Sequence, residues 1–164
     1  MNLFYLDEDI NKIVESMNNK HIVKMPLESA QMLCTSHWCH NRNVGELRDL
    51  YKPVHVNHPT TIWTRESATQ YSFHYNLFLA MCEEYTFRYG KVHASEKKFR
   101  GRLEKPPEKI ADIITWRPPP QCMPEECKIE GDTIGAYRKY YKMYKADFSR
   151  VQDYKMRERP TWLN

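Results

Sequence analysis

Apolar positions recur along most of this chain at spacings of three and four, the period of a helix that buries one face. The clearest run is Thr61–Tyr89. Tyr71, Tyr75, Phe78, Cys82, Tyr85 and Tyr89 form one stripe, and Leu77, Leu79, Ala80 and Met81 widen it. This predicts a long central helix, buried along most of its surface and stopped by Gly90. Weaker periods predict a short helix from Asp9 to Met17 and a second running towards Ser36, capped by Asn18 or Asn19. Pro26 should kink that second helix or restart it. Further along, the pattern predicts a helical turn near Gly45–Tyr51, a short helix within Lys91–Pro107 and an apolar-periodic piece at Lys109–Trp116. A last helix runs from Thr133 to about Lys145, capped by Asp132 and able to extend towards Tyr154. His37–Arg48 reads as loop, Pro53 to Pro59 as extended connection, and Pro118, Pro119 and Pro120 as a break before Gln121–Lys128. No segment alternates at period two. The expected fold is all-α: one compact helical bundle over residues 1–164.

Composition adjusts this picture in three ways. A chain of 164 residues can bury roughly 70% of its unfolded surface, so it needs no metal or disulfide staple. Five scattered cysteines, an odd number, and an opening MNLFYLDEDI without a basic leader region predict reduced thiols in a cytoplasm. Apolar runs are too short to span a membrane. The net charge of +4 is mild, but its distribution is uneven. Thr86–Lys105 holds seven basic and two acidic residues, and Gly131 to the end holds eight and four. Together they predict a basic face, rich in tyrosine in its C-terminal segment.

Candidate chemistry concentrates between residues 21 and 58. Lys24, Glu28 and Gln31 follow one another at four and three, with His21 seven residues before Glu28. Val23, Leu27, Ala30 and Cys34 lie opposite, so the helix is expected to turn that side to the core. A carboxylate held beside a core is suited to general acid–base work. The same residues also fit a solvated Lys–Glu pair worth about 0.2–0.5 kcal/mol. A restart at Pro26 would put Glu28 in a first turn, where the helix dipole favours the ionised form. Cys34, His37, Cys39 and His40, followed by His55 and His58, carry zinc-type donors at no standard spacing. Cys122 and Cys127 are weaker still, and no metal or cofactor is expected. Tyr137, Tyr140, Tyr141 and Tyr144 share a stripe beside Arg138, Lys142 and Lys145. Such a face either stacks on unpaired bases or buries its rings in a core. P-loop, GxGxxG, GxSxG and HExxH motifs are absent, which removes support for the chemistries they serve.

The stretch Asn19-Lys20-His21-Ile22-Val23 on to Glu28 resembles the phage pyrimidine-dimer DNA glycosylases, the endonuclease V family. Weaker similarity runs from His58-Pro59-Thr60 through Ala80-Met81-Cys82. Arg159-Pro160-Thr161-Trp162 resembles a family tail motif whose aromatic residue helps hold the damaged base. The start and the CEEYTFRYG segment also resemble a wider set of poorly characterised phage proteins. The resemblance implies an all-α monomer in an infected bacterial host that flips a damaged or modified pyrimidine and excises it, in DNA repair or modification. It implies Glu28 activating the nucleophile or stabilising charge at the sugar, His21 orienting Glu28 or a phosphate, and Trp162 stacking near the extruded base. Arg65, Arg88, Arg138, Lys142 and Arg159 would contact phosphates. Family members attack sugar C1′ with the α-amine of a threonine. This chain has Met1-Asn2-Leu3 at its start, and Leu27 and Gln31 where the family has arginines. The nucleophile is therefore the Met1 amine, Lys24 or a water activated by Glu28, unless catalysis is lost. Two other functions fit the residues: a non-catalytic DNA- or protein-binding phage accessory factor, and a metal nuclease built on His37, His40, His55 and His58.

Overall fold

A computed structural model of the chain describes residues 1–40, 44–112, 115–145 and 154–163. These residues form seven α-helices: α1 Ile10–Glu15, α2 Asn19–His40, α3 Val44–Leu47, α4 Pro59–Thr64, α5 Ala68–Tyr89, α6 Ala94–Phe99 and α7 Thr133–Tyr144. Two short 3-10 turns, Glu125–Cys127 and Thr161–Leu163, complete them, and there is no strand among the described residues. No helix among them is long and apolar enough to cross a membrane.

The ends of the helices are set by side chains visible in the sequence. Asp9 accepts from Asn11 N–H and starts α1. Asn18 Oδ1 accepts from His21 N–H at 3.0 Å and starts α2, and Asp132 accepts from Gly135 N–H and starts α7. Each satisfies a donor that the first turn leaves open. Gly90, at φ 65°, ends α5 in the left-handed region, which glycine enters without strain.

Several expectations are corrected. The predicted helix Thr61–Tyr89 is two helices. Ser67, extended at φ −151°, accepts from Gln70 N–H and opens a new helix at Ala68. Pro26 neither restarts nor divides α2, which is one helix from Asn19 to His40 and, with α3, makes helix of part of the expected loop His37–Arg48. Pro26 is buried, and packing on that face offsets the roughly 3 kcal/mol that an interior proline costs. Glu28 is therefore not in a first turn, and His21 is. The Lys109–Trp116 piece forms no helix among its described residues, and any extension of α7 from 146 to 153 lies outside them.

Helices α2 and α5 pack against each other more extensively than any other pair and carry both core clusters. One cluster joins Ile22, Met25, Leu77 and Met81 to the chain start, Leu3–Leu6, and to Tyr137 and Tyr141 of α7. The other joins Leu33 and Cys34 to Tyr71, Phe78, Phe99 and Leu103. Between them runs a polar seam. His74, wholly buried, bonds Ser29 Oγ of α2 at 3.0 Å and Thr64 Oγ1 of α4 at 2.7 Å. This seam corrects the orientation of α2. Of the four residues expected against the core, Ala30 and Cys34 are fully buried, but Val23 and Leu27 are 46% and 40% exposed. Ser29, invisible to an apolar pattern, is drawn inward by His74 and turns Ile22, Met25 and Leu33 in with it.

Candidate active site

The chain start is apolar and is threaded into the bundle. Leu3, Phe4, Tyr5 and Leu6 are all buried. Burying each leucine is worth about 1.5–3 kcal/mol. Asn2 fixes the approach: its Nδ2 donates to Cys122 O at 2.8 Å, and Tyr137 Oη lies 2.7 Å from its Oδ1. The amino group of Met1 is thereby brought against the flank of α2.

On that flank, His21, Lys24, Met25 and Glu28 succeed one another at three, one and three residues and share one face. With Met1, Asn2, Phe4, His58, Cys122, Tyr140 and Lys145 they line a pocket of about 320 Å³. Glu28 is the one carboxylate in the lining. Its Oε2 lies 3.8 Å from the Met1 nitrogen and its Oε1 3.1 Å from Lys24 Nζ. The Met1 side chain is 4% exposed and that of Lys24 69%. An exposed ion pair like Lys24–Glu28 adds little stability. Met1, Lys24 and Lys145 give this small space an excess of positive charge around a single anion.

His21 is held on two sides. Its ring stacks on Phe4 with centroids 4.1 Å apart, and its Nδ1 lies 2.8 Å from the hydroxyl of Tyr141. Burial, reinforced by the charges of Lys145 and Lys24, lowers its pKa to about 3, so the ring is neutral near pH 7. His58 caps α4, its Nδ1 accepting from Thr60 N–H at 3.2 Å. Its pKa is lowered by burial and then by the Met1 ammonium and His55, with Glu28 pulling the other way.

All four residues expected to carry chemistry, Met1, His21, Lys24 and Glu28, thus meet in one pocket. The six expected DNA contacts, Arg65, Arg88, Arg138, Lys142, Arg159 and Trp162, are not in its lining. Arg88 is corrected outright, because its side chain is wholly buried. It pairs with Glu84 at 2.7 Å and donates to the carbonyls of Val14, Glu15 and Met17, closing the C-terminal end of α1. A phosphate cannot reach it. Arg138 donates to Leu6 O at 2.8 Å and pairs with Asp7, and its guanidinium lies over Trp162. Arg65 donates to Val56 O and Arg159 to Leu163 O. Lys142 is exposed on α7. Trp162 is half-buried, with its ring edge-on to Tyr141 at 6.0 Å, so it backs the residue that holds His21.

The zinc-type residues are dispersed. His37 bonds Tyr71, His40 bonds Arg65 O, and His58 caps α4. Burial pushes the Cys34 thiol up to about 11. No three His, Cys, Asp or Glu side chains are grouped to hold a metal ion among the described residues.

The sequence pattern did not point to Phe4, His58, Cys122, Tyr140 or Lys145 as pocket residues. They reach the pocket from four separate segments, and only the tertiary fold brings them together. His58-Pro59 alone carries a local signal, since proline at a helix's first turn marks the residue before it as the cap. No family model matches this chain, and no curated protein or solved structure is similar to it beyond chance.

Proposed function

We propose that this chain is a DNA-binding base-excision glycosylase whose pocket around Glu28 attacks the sugar of a damaged or modified pyrimidine nucleotide. One observation carries the reading: the amine of Met1 stands 3.8 Å from the only carboxylate of a cationic pocket. An amine nucleophile needs a free lone pair, and a neighbouring carboxylate can take the proton that frees it. The Met1 nitrogen then bonds to C1′ while the C1′–N bond to the base breaks. The base leaves with that electron pair and takes the proton that Glu28 removed from the amine, which restores the carboxylate. The new C1′–N centre loses a proton to Glu28, the sugar ring opens with its oxygen protonated, and an imine joins protein to sugar. Water hydrolyses the imine and restores the amine. Lys24, also beside Glu28, is the competing amine, but its exposure leaves it solvated and less reactive.

Lys24 and Lys145 suit a phosphodiester flanking the nucleotide, and the pocket's volume suits an extruded sugar rather than an intact duplex. Affinity should fall steeply with salt as phosphates are neutralised. The test is release of free base, read by mass, from duplexes carrying damaged or modified pyrimidines. Release abolished in Glu28→Gln supports the reading. Failure to bind any DNA at low salt removes it and leaves a protein-binding accessory factor.

A further inference from the structure

Tyr141 of α7 is wholly buried, and its hydroxyl meets two groups of the chain. Asn18 backbone N–H lies at 2.8 Å and can only donate, so the hydroxyl oxygen accepts there. The hydroxyl proton then has one acceptor among the described residues, His21 Nδ1 at 2.8 Å. A proton on Nδ1 instead would leave the buried hydroxyl proton with nowhere to go, at a cost of about 1–3 kcal/mol. The imidazole therefore carries its proton on Nε2. Stacking on Phe4 fixes the plane of the ring. Nε2 has no protein partner among the described residues, and the ring borders the pocket whose other charges are mainly cationic.

We infer that Tyr141 is a positioning residue: its buried hydroxyl locks His21 with the proton on Nε2, so that the ring presents a neutral N–H donor to a phosphate oxygen of the strand in the pocket. The identity of that strand rests on the glycosylase reading, whereas the lock itself does not. The inference divides the chemistry between two side chains two helical turns apart. Glu28 accepts the proton of the attacking amine. His21, its basic nitrogen already occupied, donates a hydrogen bond and takes no proton from substrate.

The lock is read by long-range proton–nitrogen correlation spectra of ¹⁵N-labelled protein near pH 7, with His21 assigned by its loss in His21→Asn. The expected spectrum has Nδ1 unprotonated and Nε2 protonated. Adding a duplex with a tetrahydrofuran abasic-site analogue should move the Nε2–H signal. In Tyr141→Phe the two tautomers should mix, and affinity for that duplex should fall about tenfold, the loss of one good hydrogen bond. A proton found on Nδ1 in the unmodified protein overturns the inference, even where the variant fails to fold. So does a folded Tyr141→Phe with an unchanged tautomer. A bound duplex that leaves Nε2–H unmoved overturns the phosphate role. An Nε2–H tautomer in a protein that binds no duplex supports the lock and counts instead against the DNA reading.

Discussion

Two glutamates, Glu84 and Glu28, each lie between two cations, and the two sites differ in what they leave unsatisfied. Glu84 is 3% exposed and receives Arg88 at 2.7 Å together with a fork from Arg157, at 3.0 and 2.9 Å. Burial alone would raise its pKa, but the hydrogen bonds from Arg157 and Arg88 outweigh it and hold the carboxyl low. The rest of Arg88's donors go to main-chain carbonyls and Asn19. Glu28 is 15% exposed, has one amine at 3.8 Å and another at 3.1 Å, and opens on a pocket. Saturation makes the first site structural. Incomplete bonding beside a cavity leaves the second free to meet a substrate. The presence of a carboxylate between cations is common to both, and only the remaining valence separates them.

The largest effect should come from breaking the saturated site. Arg88→Met leaves Glu84 and three carbonyls short of donors, and stability should fall by about 3–5 kcal/mol in urea unfolding. A loss under about 1 kcal/mol would move this network into the class of surface pairs. Trp162→Ala removes a half-buried ring from the backing of Tyr141 and should cost about 2 kcal/mol, since full burial is worth more. The melting temperature should drop by about 4–8 °C. Folded protein that has lost DNA binding while keeping its melting temperature would return Trp162 to the site.

A smaller effect separates the regions by pH. His74 has its pKa lowered to about 3 by burial alone. The unfolded chain binds its proton near pH 6.5 and the folded chain does not, so His74's contribution is present above pH 6.5 and lost as pH falls towards 3. The slope is about 1.4 kcal/mol per pH unit. His74→Gln should be less stable at pH 7 and lose that slope, which unfolding curves at pH 6 and pH 5 would read. Smallest of all is the structural cost of Glu28→Gln. It should change stability by less than about 0.5 kcal/mol, because Lys24 is 69% exposed and the Met1 amine stands off at 3.8 Å. A cost of several kcal/mol would make Glu28 a second Glu84.

Much of the fold was readable in the chain. Asp9, Asn18, Gly90 and Asp132 marked helix ends by chemistry that acts over three or four residues. The break at Ser67 was hidden because the polar stretch Thr64–Gln70 carries no glycine or proline and the cap is a single hydroxyl. The rotation of α2 was hidden for a similar reason: Ser29 is buried by one hydrogen bond to His74, which a hydrophobic pattern does not register. His21, Lys24 and Glu28 could be grouped because one helix face carries them. His58, Cys122, Tyr140 and Lys145 could not, since their proximity is made by tertiary contacts alone. Arg88 was misread as a surface cation despite a local signal. It follows Glu84 by four residues inside a strongly apolar segment, the spacing of an intrahelical pair drawn into a core.

The central claim is that the open site holds a reactive amine. Its most direct test is borohydride reduction of the protein mixed with abasic-site DNA, followed by mass mapping of the adduct, on protein whose intact mass shows that Met1 is retained. The account predicts a covalent complex with the sugar on the peptide beginning at Met1, lost in Glu28→Gln although that variant folds and binds the DNA. An adduct confined to the Lys24 peptide, or no adduct from protein that binds the same duplex, would contradict it.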